Sequence, residues 1–142
     1  MTDEVDLYPR HHAEQSGLLN AIGRYSSFHN THGFSVDPVG PETARLPTGW
    51  EERLIPVSTP NTNGAVGWCL EVHDVAVSKL FAGRQKDHQF VQILLDHQLA
   101  ERHTIQKRIR MVPNVEHSQI QSAEAALLKI IVNISHPRKL TL

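Results

Sequence analysis

Glu4 and Asp6 stand two residues apart in the run Glu4-Val-Asp-Leu7. If that run is extended, both carboxylates leave the same face of a strand, about 6 to 7 Å apart. Carboxylate oxygens at that spacing suit a hard cation such as Mg²⁺, which keeps waters free for substrate phosphates, as metal-dependent phosphoryl or nucleotidyl transfer requires. The bland alternative is a solvated strand edge, because an E-x-D motif is short. A second constellation comes much later: Asp74, Lys79, Arg84, Lys86 and Asp87, around one helix and the corner after it. Arg84 and Lys86 fall at or near the start of a helix, where backbone N–H groups without intrahelical partners also attract anions, so a triphosphate could be clamped there. Read as structure, Asp74 and Asp87 are helix caps, and Lys79 lies over apolar surface with its charge in water. Glu71, between Leu70 and Val72, reads as a solvent-facing strand residue or as a further acidic candidate.

Other reactive residue types point more weakly. The ten histidines include an H-x-x-H pair, His29 and His32, expected in a Ser/Asn/Thr/Gly-rich loop rather than on a helix, and nothing matches the metalloprotease spacing. Zinc is therefore the lesser reading, and tandem His11 and His12 point to different faces of any element. Cys69 rules out an internal disulfide; between Trp68 and Leu70 it reads as a packed thiol. Trp50 and Trp68 read as core or cross-strand packing, with base stacking as the alternative.

The elements that must position these groups follow from periodicity and punctuation. Val5 to Tyr8 alternate and stop at Pro9, which predicts a strand. Leu18, Leu19 and Ile22 predict a helix over about residues 11 to 25. Residues 26 to 49 are rich in Gly, Pro, Ser, Thr and Asn and predict a long loop with a brief strand at 34 to 36. Residues 50 to 58 and 65 to 72 read as a hairpin around the Thr59-Pro-Asn-Thr-Asn-Gly64 turn. His73-Asp74 is expected to cap a helix that Gly83 ends, and Phe90, Val91, Leu94, Leu95 and Leu99 mark the next. Further helices are expected over 100 to 111 and 118 to 134, then a frayed tail from 137 to 142.

With 142 residues, one domain is expected. Lys and Arg number 14 against 15 Asp and Glu, so no global field draws nucleic acid or an anionic membrane, and any polyanion site must be local. No long apolar run or charged leader is present, and a soluble cytoplasmic protein is expected. The expected fold class is α+β: a small mixed sheet including residues 4 to 8, 50 to 58 and 65 to 72, followed by a helical half.

Five segments taken together carry a family likeness: Glu4-Val-Asp-Leu-Tyr-Pro9, Val39-Gly-Pro-Glu-Thr-Ala44, Leu46-Pro-Thr-Gly-Trp-Glu-Glu-Arg-Leu54, Cys69-Leu-Glu-Val-His-Asp-Val-Ala-Val-Ser-Lys-Leu80 and Ala82-Gly-Arg-Gln-Lys-Asp87. In order and spacing they resemble a bacterial family of unknown function in the nucleotidyltransferase-like superfamily, which includes AbiEii-type toxins. The resemblance spans about residues 3 to 110, leaving 111 to 142 as a carboxy-terminal helix and tail. It implies that Glu4 and Asp6 bind metal, that Asp6 and Lys79 are catalytic, and that Arg84, Lys86, Asp74 and Asp87 serve or brace nucleotide phosphate. A third carboxylate is open among Asp37, Glu52 and Glu71. The family's Gly-Ser turn, expected ten or more residues before Asp6, has no counterpart here, so an amino-terminally truncated domain with impaired transfer is expected.

Two functions follow. One is Mg²⁺-dependent transfer of a nucleoside monophosphate from a nucleoside triphosphate to an unknown acceptor. The other is a non-catalytic binding or antitoxin-like module, or an inactive fragment, in which the same residues hold the fold. A homodimer or a partner protein is expected with either; a membrane and general nucleic-acid binding are not.

Overall fold

A computed structural model describes residues 4–8, 15–40 and 43–135. The tandem histidines at 11 and 12 and the tail from 137 onward lie outside them. The chain forms two compact units, Met1–Ala44 and Arg45–Leu142.

In the first unit, β1 (Glu4–Leu7) and β2 (Ser35–Pro38) form a parallel pair. Parallel strands need a crossover, and α1 (Gln15–Ile22) and α2 (Ser27–His32) supply it. The helix α1 packs on β2, whose Ser35 and Val36 are buried. Residues 26 to 33 are therefore not the loop their composition predicts, and His29 and His32 sit on a helix. The polar residues act at the helix ends: Ser26 Oγ accepts from the His29 N–H, and Gly33 closes the helix at φ 75°.

The second unit starts with a 3-10 turn at Glu51–Arg53 and a short antiparallel hairpin, β3 (Ile55–Val57) with β4 (Gly67–Cys69). The hairpin is where the sequence predicts one, but its strands are three residues each, shortened by the turn before β3 and by the helix that begins at Val72. The expected single mixed sheet is thus two separate two-stranded sheets, one in each unit. The composition remains α+β, with helices filling the carboxy-terminal half.

Four helices follow: α3 (Val72–Ala82), α4 (Gln85–Asp96), α5 (Arg102–Ile109) and α6 (His117–Ser135). They bury one core, built by Ala76, Val77 and Leu80 of α3, Val91 and Leu94 of α4, Ile105 and Ile109 of α5, and Ala123, Leu127 and Ile130 of α6. These positions recur at three and four, the spacing that puts side chains on one helical face. Thr48 is tied to this assembly by its N–H and its hydroxyl, both donating to the Met111 carbonyl. Among the described residues no helix is long and apolar enough to cross a membrane.

Candidate functional site

The carboxylates of the first unit stand on β1, with Glu4 and Asp6 two residues apart and so on one face. Parallel pairing brings Asp37 of β2 into register beside Asp6, and Ser35 beside Glu4. Three acidic residues thus share one face of a two-stranded sheet. Glu4 also meets Arg24 at 3.4 Å, a contact open to water on both sides. Among the described residues, no three His, Cys, Asp or Glu side chains converge into a metal-holding group. The H-x-x-H pair is occupied otherwise: His29 Nδ1 accepts the Tyr25 N–H, and His32 packs against Phe28 with ring centroids 4.5 Å apart.

The expected phosphate-binding residues lie in the second unit and divide into two groups. Asp87 is 3% exposed and holds the corner between α3 and α4. Its Oδ2 accepts from Arg84 Nε at 2.7 Å and from the Arg84 backbone N–H at 3.2 Å, while Oδ1 accepts from Arg84 Nη2 and faces Lys79 Nζ at 4.0 Å. Burial pushes this carboxyl up, but the Arg84 hydrogen bonds and the charges of Arg84 and Lys79 outweigh it and hold Asp87 below the ordinary range. The N-cap is Arg84, and Asp87, in the first turn of α4, bonds back to its N–H. Lys86 is exposed on that turn. Beside Asp87, His88 leaves its Nε2 buried without a hydrogen-bond partner among the described residues.

Asp74 belongs to a different network. It does not cap α3: Glu71 does, accepting the His73 N–H at 3.2 Å, so Glu71 is not the solvent-facing strand residue expected. Asp74, in the first turn of α3, is fully buried. Its Oδ2 accepts from Arg53 Nε at 2.9 Å, and its Oδ1 from Arg53 Nη2 at 3.2 Å and from Arg108 Nη1 at 2.9 Å. Arg108 also bonds Glu71, and Glu71 holds the His73 ring at 2.6 Å. His73 Nε2 accepts the Glu101 N–H at the start of α5, which fixes its proton on Nδ1, toward Glu71. Burial raises the Glu71 carboxyl, but the bonds from His73 and Arg108 win and hold it low. Two guanidiniums, two carboxylates and an imidazole thereby join residues 47 to 53, α3 and α5.

Arg53 and Arg108 are the residues sequence reasoning missed, and His73, expected only as part of the cap of α3, joins them in the network. Arg53 and Arg108 lie 21 and 34 positions from Asp74, and no local pattern links them. The tryptophan and cysteine of β4 also differ from expectation. Trp68 faces Pro56 across the hairpin yet is 60% exposed, and Cys69 is exposed rather than packed, because the hairpin is too short to cover its own faces.

A family model described as "Nucleotidyltransferase of unknown function (DUF6036)" matches residues 1–125. No curated protein and no solved structure matches.

Proposed function

The chain belongs to this family of nucleotidyltransferases of unknown function, and from that premise we propose that it moves a nucleoside monophosphate from a nucleoside triphosphate to an acceptor hydroxyl with the help of Mg²⁺. The observation that carries the metal reading is the register of β1 on β2, which sets Asp37 beside Asp6 on the face that also bears Glu4. Like charges side by side on a sheet cost stability, and a shared cation relieves that cost. Mg²⁺ takes one or two protein carboxylates and fills its remaining positions with water and substrate phosphates, so Glu4 and Asp6 suffice as its protein ligands without a gathered threesome. When bound, the ion supplies neutralisation of the triphosphate and of the charge that grows on the leaving phosphate.

The chain's other residues bind and orient. Asp6 stands between Glu4, two residues away on its own strand, and Asp37, in register across the pair, so a cation on this face would meet it whichever neighbour it shares, and we assign it the central role. Within the second unit, taken by itself, Lys79 and Arg84 are the side chains we assign to phosphate, with Lys86 exposed on the same corner. Asp87 positions both by holding Arg84 through a two-pronged hydrogen bond and drawing Lys79 toward it. The complete burial of Asp74 supports a bracing role for it rather than contact with nucleotide. One observation favours the non-catalytic reading: Asp87 already engages both cations, as a purely structural corner would.

Transfer of label from each nucleoside triphosphate to a mixed pool of protein and RNA, with Mg²⁺ or Mn²⁺, separates the two. The expected result is labelled acceptor, reduced about 10² to 10³-fold in Asp6→Asn, the scale of losing one charge-stabilising group. Absence of transfer with every nucleotide, or transfer indifferent to Asp6→Asn, favours the binding module.

A further inference from the structure

Both strands of the hairpin β3–β4 are exposed, and Ile55, Val57, Val66 and Trp68 leave apolar surface open on it. The two outer edges of this hairpin differ chemically. Pro56 faces Trp68 across the ladder and has no N–H, so their pair is the kind that exchanges no hydrogen bonds; the bonded pairs are Ile55 with Cys69 and Val57 with Gly67. The outward groups of β3 are therefore those of Pro56, which lacks a donor, and of Leu54, whose N–H already donates to the Glu51 carbonyl. That edge offers a further strand no donor at its centre. Along β4 the outward groups belong to Trp68 and to the flanking Val66 and Leu70, and no backbone hydrogen bond among the described residues takes them. The run Ala65-Val-Gly-Trp-Cys-Leu70 holds neither a charge nor a proline, the two devices that most often keep an edge strand from pairing.

We propose that β4 pairs antiparallel with β4 of a second copy of this chain, joining two hairpins into one four-stranded sheet. A two-fold axis at Trp68 sets Trp68 opposite the copy's Trp68, Val66 opposite its Leu70 and Gly67 opposite its Cys69. Val66, Trp68 and Leu70 then exchange their outward N–H and C=O groups with the copy's Leu70, Trp68 and Val66. Every opposed residue is uncharged, so the edge is complementary to itself, and the two indoles make a cross-strand aromatic pair. A lone two-stranded hairpin is marginal in water, and a second hairpin supplies the strands it lacks. The position of Pro56 is the reason a second copy is the occupant. In the paired sheet each outer strand is β3, closed at its centre by Pro56, so the assembly ends at the dimer and does not grow into a filament. The inference is independent of the transfer chemistry, since no residue assigned to metal or phosphate takes part.

Sedimentation velocity of the full chain, with reductant and over a concentration series, tests this. A reversible monomer–dimer equilibrium with no larger species is expected. Trp68→Lys sets two ammonium groups against each other at the axis and is expected to weaken the dimer about tenfold or more, since like charges replace an aromatic pair. Mixed in equal amount with Trp68→Glu, it is expected to dimerise again, because opposite charges then meet. Lys129→Glu, an exposed change on α6, is expected to leave the equilibrium unchanged. If a Trp68 variant loses its helical circular dichroism, Gly67→Cys reads the register instead. A Cβ at Gly67 meets only the Val57 carbonyl oxygen, at 3.8 Å, so the change is tolerated. The copy's Cys69 then stands opposite with Cα atoms about 4.5 Å apart, within disulfide reach, and oxidation by diamide is expected to give a covalent dimer that the parent does not. A chain that stays monomeric at every concentration overturns the proposal and leaves this edge to a strand of another protein. Growth into filaments, a dimer indifferent to Trp68→Lys, folded Trp68 variants that do not recombine, or Gly67→Cys that crosslinks no better than the parent overturns it as well.

Discussion

Asp74 receives three hydrogen bonds from two guanidiniums and has no exposed surface. Removing it leaves Arg53 and Arg108 with their charge in a partly desolvated place, a change that typically costs about 3 to 5 kcal/mol. Asp74→Ala is therefore expected to lower the urea midpoint sharply. Lys79→Met, at a residue with 26% side-chain exposure and a 4.0 Å partner, is expected to stay within about 1 kcal/mol of the parent. Equilibrium unfolding of the two variants side by side checks this; equal stability would return Asp74 to the candidates for nucleotide contact. Asp6, by contrast, is exposed, with Asp37 in register beside it on β2, so its replacement strands no buried charge.

At the scale of elements, the corner between α3 and α4 decides where Lys79 and Arg84 point. Gly83 ends α3 at φ 70°, its N–H donating to the Lys79 carbonyl, and the next residue, Arg84, opens α4. A Cβ at Gly83 meets only ordinary contacts, at 3.9 and 4.0 Å, so space does not forbid alanine there; the left-handed backbone does. Gly83→Ala is expected to cost about 1 to 2 kcal/mol. If transfer is observed, the same change is expected to reduce it by more than stability explains, because the turn that aims both cations is altered. Thermal unfolding measured beside label transfer reads both effects. The hairpin β3–β4 is the contrasting element: its residues are exposed on both strands, and its short ladder is braced by little else.

At the scale of the molecule, every member of the main core cluster lies between Ala76 and Ile130, within the second unit. The bonds of Thr48 to Met111 and of Arg53 to Asp74 add residues 48 and 53 to the same body. A chain of residues 45 to 142 is thus expected to keep its helical circular dichroism and to melt cooperatively, since an intact apolar core is what makes a domain unfold as one. Limited proteolysis of the full chain is expected to give a stable fragment beginning near residue 45. A 45 to 142 chain that lacks a cooperative transition would show instead that the first unit is required for folding.

The sequence alone determined what depends on neighbours in the chain. Three- and four-residue spacing of Val91, Leu94 and Leu95 marks α4, and Gly83 marks the end of α3. Alternation around Glu4 and Asp6 marks β1, and the segments that carry the family likeness read directly from residue order. Composition misled at residues 26 to 33, because Ser26 and Gly33 favour the two ends of a helix as much as they favour a loop. It misled again at Trp68 and Cys69, where an apolar run implies a cover that a three-residue hairpin cannot provide. Only the tertiary structure decided that Asp37 stands beside Asp6 and that Asp74 is closed between Arg53 and Arg108. Strand register and long-range ion pairing are settled by packing across dozens of residues, and that coupling leaves no periodic trace in the order of the chain.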